Sequence, residues 1–372
     1  MKIVVTGSNG LLGWHTAARV HARNCAAAFR GEEPPYDLVR LDRAGFENPS
    51  LLKAAVNGAD AVLHFAGVNR GDDNAVEKAN PDIATALVKA CQSAGSTPHI
   101  IYANSIHAEH DTPYGRSKRL AAEILARGEG KFTNLILPHI FGECAKPFYN
   151  NVTATLIHQI WAGKRPEINP DGMVHLLHAG KAGEIAVSAA LQGQTGDIRP
   201  AGTPLSIPDL WERLAGFHES YQNNIFPRFD DSFDLNLFNS YRMASYPEGW
   251  PRQLTQHSDN RGTLFEAVKC GGGQTFMSTT NPGVIRGDHF HLHKVERFLV
   301  LQGQATIRIR KIFSDNVWEY QVDGKNPSPV DMPTLHTHSI QNTGKEPLLT
   351  LFWTHDLFDP DNPDTFFDKV LP

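Results

Sequence analysis

The chain has 372 residues, of which 41% are hydrophobic and 20% are charged. This composition is typical of a soluble globular protein with room for two domains. Its 35 basic and 40 acidic residues give a net charge of -5, which offers no electrostatic reason to expect nucleic acid as a partner. No apolar run approaches the roughly 20 residues that span a bilayer, so we expect no membrane insertion.

Two features bear on the cellular compartment. The chain opens in an apolar strand, without the charged region and cleavage site of a secretory signal. Its four cysteines, Cys25, Cys91, Cys144 and Cys270, are scattered without a pairing pattern, which indicates reduced thiols. We therefore predict a cytoplasmic protein.

The pattern of apolar segments changes along the chain. The first part alternates strand-like segments such as KIVVTG with helical ones such as GRSKRLAAEILARG, which predicts an α/β fold with a doubly wound parallel sheet. From about Leu254 the segments are short and alternating, which predicts an all-β sandwich or barrel. The Pro-, Tyr- and Gly-rich stretch Asn239–Gln256 marks the change, and we predict domains at 1–245 and 246–372.

A glycine-rich turn follows the first strand. The segment TGSNGLLG places Thr6, Gly7, Gly10 and Gly13 between an apolar strand and a helical segment. Glycines let the backbone turn sharply and approach a pyrophosphate, and the helix N-terminus offers N–H donors to it. The turn therefore predicts a dinucleotide site, whereas a tight turn without a ligand is the alternative interpretation.

A second motif, YGRSK, carries acid–base chemistry. Tyr114 and Lys118 are four residues apart, so they share one face of a helix. A neighbouring ammonium and a cationic nicotinamide would lower the pKa of the phenol from its usual value of about 10. The hydroxyl of Ser105, at the end of a strand, can bind a substrate oxygen. Together these residues predict a hydride-transfer site with Tyr114 as the acid or base.

With these motifs the first part of the chain resembles the extended short-chain dehydrogenase/reductase family. The segment His64–Gly67 resembles a family motif beside the cofactor, and Asn80 matches an asparagine usual in the next helical segment. The resemblance implies binding of NADP(H) or NAD. The implied cofactor contacts are Thr6, Gly7, Asn9, Gly10, Leu11, Gly13, Phe65, Ala66, Gly67, Asn80, Tyr114 and Lys118.

The choice between the two dinucleotides is open in the sequence. The second strand ends in Leu-Asp-Arg. The carboxylate of Asp42 suits a ribose hydroxyl, which favours NAD, and the guanidinium of Arg43 suits a 2′-phosphate, which favours NADP.

The C-terminal part contains the segment GDHFHLHKVERFLVLQG. His289 and His291 alternate onto one face of a strand, Glu296 follows, and DMPTLHTHSIQN supplies a later histidine, His336 or His338. Imidazole and carboxylate ligands suit zinc, iron, manganese or nickel. A solvated histidine loop is the alternative, but it does not explain the strands that follow the cluster.

The spacing of this segment resembles the first cupin motif, and PTLHTHSIQN resembles the second. Leu335 stands where the cupin family usually carries glycine. The resemblance implies four metal ligands, His289, His291, Glu296 and His338, with zinc or another divalent ion bound. By strand parity His293 faces the same side as the ligands, where it is either a catalytic base or a surface residue.

The segment DNRGTLFE resembles the entry strand of cupin epimerases that act on nucleotide-linked 4-keto sugars. Arg261 in this segment can meet a diphosphate, because a guanidinium binds phosphate through two donors. A surface arginine in a structural hairpin is the alternative.

Over nearly its full length the chain resembles bifunctional capsule-sugar enzymes in which a reductase is fused to a cupin. Segments that carry the resemblance include HFAGVNR, PYGRSK and HKVERFLVLQG. It implies that the cupin epimerises C3 of a UDP-linked 2-acetamido-2,6-dideoxy-4-keto-hexose and that NADPH then reduces C4. The implied product is UDP-2-acetamido-2,6-dideoxy-L-talose, on the route to UDP-N-acetyl-L-fucosamine for capsule or O-antigen.

The same resemblance implies further contacts. Lys146 and Asn150, in KPFYNNV, would meet the uridine diphosphate, although an ordinary loop is the alternative. Asn104 and His107, beside the serine, stand where the family typically has Ser and Gln. A homodimer is expected by analogy.

Three other functions fit parts of the pattern. The first is an epimerase or dehydratase that retains NAD and has a non-catalytic, sugar-binding cupin. The second is a sensing or scaffolding protein with relic motifs, against which the intact Ser105, Tyr114 and Lys118 argue. The third is oxygen chemistry at the metal site.

Overall fold

The computed structural model describes residues 1–371. The chain forms two compact units, one made of residues 1–155 and 167–210 and the other of residues 156–166 and the chain from 211 onward. The helices are α1 Leu11–Phe29, α2 Arg43–Glu47, α3 Pro49–Val56, α4 Asp73–Ala94, α5 Pro113–Ala126, α6 Val152–Trp161, α7 Ala179–Gln192, α8 Ile207–Gln222 and α9 Ser232–Met243, with a 3-10 turn at Ile106–Glu109.

The strands are named in chain order. Those of the first unit are β1 Lys2–Thr6, β2 Asp37–Leu41, β3 Ala61–His64, β4 His99–Ser105, β5 Phe132–Leu137, β6 His139–Phe141, β7 Met173–His178, β8 Gly196–Ile198 and β9 Thr203–Ser206. Those of the second are β10 Gln256–Asp259, β11 Gly262–Phe265, β12 Gln274–Thr280, β13 Ile285–Phe290, β14 Glu296–Gln302, β15 Gln304–Lys311, β16 Val317–Asp323, β17 Val330–Met332, β18 His336–Asn342, β19 Leu348–Thr354 and β20 Phe366–Phe367.

The first unit is built on a six-stranded parallel sheet with the order β2-β1-β3-β4-β5-β8. Successive residues of β1 enter two different cores. Val4 packs with Leu87 of α4, whereas Ile3 and Val5 pack with Val20 of α1. A strand that is buried on both faces needs helices on both faces, which explains its continuous apolar sequence. The strand order reverses beside β1, and ligands of such sheets bind at this point, outside the carboxyl ends of the strands.

The second unit is antiparallel. One sheet has the order β12-β19-β14-β17, a second has the order β16-β15-β18-β13-β20, and β10 and β11 form a separate hairpin. Apolar residues of the strands, among them Phe298, Ile307 and Ile340, are buried. In β14 burial runs through four consecutive residues, 297–300, so this strand is covered on both faces.

Helix α9 and nearly all of α8 belong to the β-rich unit. The change in composition along the sequence had predicted a boundary later, at residue 245. Buried polar contacts hold this helical segment there. Arg242 Nη1 donates to the carbonyl oxygen of Met332 (2.6 Å), and the hydroxyl of Tyr221 donates to Asp331 Oδ2 (2.7 Å). The change of texture marks where the strands begin, whereas the helices before it already belong to the second unit.

Among residues 1–371, no helix combines the length and the apolar sequence that a membrane crossing needs.

Candidate active site and candidate metal centre

The glycine turn packs too tightly for side chains. Gly7 has a φ of +65°, and a Cβ added to it would lie 2.8 Å from the backbone nitrogen of Ala66. A Cβ on Gly13 would lie 2.2 Å from the carbonyl oxygen of Gly7. The N-cap of α1 is Gly10, which carries no side chain to cap the helix. The first N–H groups of α1 are therefore available to an anion, as a pyrophosphate site requires.

A cavity of about 690 Å³ lies beside this turn. Most of the residues that the sequence predicts for the reductase site line this cavity. The predicted residues in its lining are Gly7, Asn9, Gly10, Leu11, Gly13, Phe65, Gly67, Asn80, Ser105, Tyr114, Lys118, Lys146 and Asn150. Thr6 lies beneath the turn, where its Oγ1 accepts a hydrogen bond from the backbone N–H of Ala66 (3.2 Å).

Tyr114 is placed by the start of α5. Thr112 caps this helix by accepting from the N–H of Gly115, and Pro113 occupies the first turn. Burial raises the pKa of Tyr114, and a hydrogen bond with Ser105 acts in the opposite direction. The protein residues alone therefore do not give the lowered tyrosine pKa that was predicted for Tyr114 beside an ammonium and a cationic nicotinamide.

Lys118 lies one helical turn further and is buried. Its Nζ donates to the carbonyl oxygen of Ala103 (2.6 Å) and lies 4.1 Å from the centroid of the Tyr102 ring. Burial lowers the pKa of Lys118 to about 7. The ammonium is thus held against β4 by Ala103 and Tyr102. Because its pKa is near 7, the side chain gains or loses its proton near neutral pH.

Asn80 organises the loop after β3. Its Oδ1 accepts from the N–H of Val68 (3.0 Å), and its Nδ2 donates to the carbonyl oxygen of Val68 (2.8 Å) and to Ser117 Oγ (2.9 Å). These bonds tie the loop after β3 to α5, the helix that carries Tyr114. Asn80 therefore positions one wall of the cavity.

Asp42 and Arg43 lie outside this lining, at the end of β2. Strand β2 pairs with β1 so that Leu41 is opposite Thr6, which puts both residues next to the glycine turn. Asp42 Oδ1 accepts from the N–H of Gly45 (2.9 Å) as the N-cap of α2. The side chain of Arg43 is 79% exposed, and its Nε lies 3.3 Å from Glu47 Oε1.

Two histidines in the cavity wall were not assigned a role from the sequence. The N–H of His107 donates to Ser105 Oγ (3.2 Å), and its ring centroid is 6.4 Å from that of Tyr114 and 5.6 Å from that of His139. Burial lowers the pKa of both histidines. His107 could have been found from its position two residues after the serine, but His139 carries no local signal.

The loop with Lys146 and Asn150 forms another part of the wall. The Lys146 ammonium lies 5.4 Å from the centroid of the Tyr149 ring. Arg70 donates to the carbonyl oxygens of Phe148 (3.1 Å) and Tyr149, which fixes the loop.

The second unit brings the four predicted metal ligands together. One ligand atom from each of His289, His291, Glu296 and His338 lies within 4.8 Å of the others. Glu296 Oε2 is 3.0 Å from His291 Nε2 and 3.2 Å from His338 Nε2. Burial lowers the pKa of His289 and His338, and although burial opposes ionisation of Glu296, His291 and His338 bring its pKa well below its usual range. Neutral imidazoles with an anionic carboxylate are the protonation state that metal binding requires.

Strand pairing explains this convergence. His289 of β13 lies opposite His338 of β18, next to an irregularity in register after Gly287. Gly287 has a φ of +98°, and a Cβ on it would lie 2.7 Å from the carbonyl oxygen of His338. Glu296 comes from the facing sheet, at the start of β14.

His336, the alternative ligand, lies outside the cluster. It stacks on Trp318 with ring centroids 5.3 Å apart, and its Nδ1 lies 2.8 Å from the carbonyl oxygen of Thr334. Alternation along β18 does not distinguish the two histidines, because residues two apart face the same side of a strand, and both are buried.

The turn between β13 and β14 is held by Asp364. Its carboxylate accepts from the backbone N–H groups of Leu292 (3.0 Å), His293 (2.9 Å) and Lys294 (2.7 Å). Its carbonyl oxygen lies 2.5 Å from His291 Nδ1, the ring nitrogen that faces away from Glu296. Such second contacts orient metal-binding histidines.

His293 lies in this turn and not in a strand, because β13 ends at Phe290. The parity argument that placed it on the ligand face is therefore wrong. The carbonyl oxygen of His293 accepts a hydrogen bond from Asn239 Nδ2 (2.8 Å), and its N–H donates to Asp364. Both backbone polar groups of His293 are therefore held in place.

Arg261 lies at the tip of the β10–β11 hairpin. Its side chain is 86% exposed and forms an ion pair with Asp259 (Nη2 to Oδ2, 2.5 Å). The guanidinium is therefore open to solvent and paired within its own hairpin, and its role toward a diphosphate stays a prediction.

These features define a Rossmann-type α/β domain with a Ser-Tyr-Lys site, followed by a β-sandwich of the cupin type with a His-Glu cluster. Residues 3–183 match the model of the NAD dependent epimerase/dehydratase family, and residues 257–366 match that of the polysaccharide biosynthesis C-terminal domain. The chain is 30% identical to UDP-2-acetamido-2,6-beta-L-arabino-hexul-4-ose reductase of Pseudomonas aeruginosa, over 100% of this chain and 99% of that protein. The chain belongs to the family of this reductase.

The chain is also similar to two proteins of polysaccharide assembly and biosynthesis. The crystal structure of the capsular polysaccharide assembling protein CapF from Staphylococcus aureus matches over 100% of both chains, with a TM-score of 0.56 and 26% identity. The spore coat polysaccharide biosynthesis protein SpsL of Bacillus subtilis is 27% identical over 132 residues, covering 32% of this chain and 85% of that protein. The predicted fold class, a doubly wound parallel sheet plus a cupin domain, is confirmed.

Proposed function

We propose that the protein is a bifunctional nucleotide-sugar enzyme of polysaccharide biosynthesis. Its cupin unit epimerises C3 of a UDP-2-acetamido-2,6-dideoxy-4-keto-hexose, and its reductase unit then reduces C4 to give UDP-2-acetamido-2,6-dideoxy-L-talose. The observation that carries the proposal is that Ser105, Tyr114 and Lys118 line one cavity with the glycine turn, in a chain that also holds the His-Glu cluster. The relative of known activity is a hexulose reductase by name and matches along its whole length.

The cavity fits a nicotinamide dinucleotide. The close approach at Gly7 and the uncapped start of α1 suit a pyrophosphate, and NADPH, when bound there, supplies the hydride for C4. The Ser105 hydroxyl orients the ketone oxygen by hydrogen bonding. Tyr114 gives its phenolic proton to that oxygen as the alcohol forms, and the Lys118 ammonium favours the phenolate that remains.

The His-Glu cluster fits a divalent ion such as zinc, because three imidazoles and one carboxylate converge within 4.8 Å. An ion held there would act as a Lewis acid toward the C4 ketone and so raise the acidity of the C3 proton. We assign removal of that proton to His293, whose backbone is fixed in the turn after His291. A proton from solvent then returns to C3 on the opposite face, which inverts this carbon. Lys146 and Asn150 are assigned to the uridine diphosphate in the reductase cavity, and Arg261 is assigned to the diphosphate of substrate bound at the cupin unit.

The chemistry sets the order of the two reactions. The C3 proton is acidic only while C4 is a ketone, so reduction ends epimerisation. The keto product of the cupin reaction must therefore reach the reductase cavity before it is reduced. We keep a homodimer and a cytoplasmic location as parts of the proposal.

Incubation of the UDP-4-keto sugar in D₂O tests both activities by NMR. Without NADPH we expect deuterium at C3, and after addition of NADPH we expect a 6-deoxy-talose product. Direct reduction without deuterium at C3 would show that the cupin only binds. Interconversion at C4 with a tightly held NAD, and no need for added NADPH, would support the epimerase or dehydratase alternative instead.

The cofactor preference gives a second prediction. Replacing Arg43 with alanine is expected to raise KM for NADPH about tenfold, the effect of one lost ion pair with the 2′-phosphate, and to leave KM for NADH unchanged. Arg127→Ala is the matched control, because Arg127 is also exposed and paired with a glutamate four residues away. Equal effects of Arg43→Ala on both dinucleotides would remove Arg43 from the specificity site.

A further inference from the structure

A second group of metal-binding side chains lies in the first unit, away from the Ser-Tyr-Lys residues. It consists of His15 in α1, Glu143 after β6 and His178 at the N-cap of α7. All three side chains are almost fully removed from solvent, with exposures of 0%, 1% and 4% respectively. The reductase mechanism above uses none of them.

The three side chains point at one place. Glu143 Oε2 lies 2.8 Å from His178 Nε2 and 3.7 Å from His15 Nε2, and one ligand atom from each residue lies within 4.8 Å of the others. The carbonyl oxygen of Glu143 is 3.1 Å from His15 Nε2, so it approaches the same point. Ligands about 2.1 Å from a tetrahedral zinc ion are about 3.4 Å apart, close to the observed separations.

The charges are those of a cation site. A carboxylate that is fully buried needs a cation or strong donors beside it, because desolvation of the charge is costly. Arg19 donates to the carbonyl oxygen of His15 (3.2 Å), and its Nε lies 3.3 Å from Glu184 Oε1.

From this geometry we propose that His15, Glu143 and His178 bind a divalent metal ion, of which zinc is the best fit. Two imidazoles, a carboxylate and a nearby carbonyl oxygen form the N/O set that zinc accepts. Complete burial makes the site structural, since a catalytic metal keeps a position open to substrate. This site is independent of the proposed sugar chemistry and distinct from the His-Glu cluster of the cupin unit.

The position of the three residues shows what the ion would stabilise. His15 follows the glycine turn by two residues in α1, and Glu143 directly precedes Cys144, which lines the cavity with Lys146. The ion would therefore tie the dinucleotide-binding helix to the loop assigned to the substrate. Its loss is expected to lower thermal stability and weaken NADPH binding, even for protein whose cupin cluster is intact.

Metal content of the untagged full-length protein tests the proposal. The protein is stripped with a chelator, reloaded with zinc, and measured by plasma mass spectrometry. We expect about two zinc ions per chain, and about one in His291→Asn/His338→Asn, which lacks the cupin ligands. Adding His178→Asn to that variant should remove the remaining ion, whereas adding His175→Asn, an exposed histidine of the same strand β7, should leave it.

If folded His291→Asn/His338→Asn protein holds no zinc, the proposal is overturned. The three residues would then form only a hydrogen-bonded ion pair. Circular dichroism shows whether each variant is folded. A cobalt titration of the folded His291→Asn/His338→Asn protein gives a second readout, through the visible absorption of tetrahedral cobalt. Saturation at one equivalent supports the second site, and no visible absorption contradicts it.

Discussion

Tyr114→Phe is expected to lower the rate of NADPH oxidation with the keto sugar about 1000-fold, within the range of a lost general acid. The phenylalanine keeps the ring in the cavity but removes the proton that the new C4 alkoxide needs. Burial already raises the pKa of Tyr114, so its hydroxyl is protonated at neutral pH and available as the donor. Stopped-flow or steady-state absorbance of NADPH measures the effect.

Deuterium exchange at C3 is the internal control for this variant. Because the exchange is assigned to the cupin unit, Tyr114→Phe should exchange at the same rate as the unmodified protein. NADPH should also bind with nearly unchanged affinity, which fluorescence titration reports. Retained reductase activity would show that another acid, such as His107 in the same wall, protonates the product.

His338→Asn is expected to lose the cupin metal and to slow C3 exchange at least about 100-fold. We expect this effect to exceed that of losing a residue that only orients a metal ligand, because His338 is itself a proposed ligand. The substitution removes the imidazole that lies 3.2 Å from Glu296 Oε2 and leaves that carboxylate with fewer partners. Metal analysis and NMR in D₂O measure the two effects separately.

His336→Asn is the matched control, since His336 is also buried in β18 but lies against Trp318. It should retain the metal and the exchange activity. If His338→Asn loses the metal but keeps C3 exchange, the ion is structural and the proton is removed without it. If both variants lose exchange equally, packing of β18 is responsible.

Much of the fold followed from local pattern. Strands such as β1 are apolar throughout because both faces are covered, and strands such as β15 alternate because one face is covered. The glycine turn was also readable, because backbone contact at Gly7 and Gly13 leaves no room for a side chain. Spacing was sufficient for His289, His291 and Glu296, which lie within eight residues of one another.

Other features depend on contacts between distant parts of the chain. The pKa of Tyr114 is set by burial, which the YGRSK motif does not encode. The packing of α9 on the second unit rests on buried bonds such as that from Arg242 to Met332, 90 residues away. His15, Glu143 and His178 carry no motif at all, since they are 128 and 35 residues apart and meet through the fold.

The contacts of Asp364 have a consequence for biosynthesis. This residue supports the backbone around His291 and lies 73 positions after it. A ribosome that has just finished β14 has therefore made three of the four cupin ligands, but neither His338 nor the aspartate that orients them. We expect the nascent cupin unit to hold metal poorly until translation passes residue 364, so that metal capture occurs late in synthesis or after it.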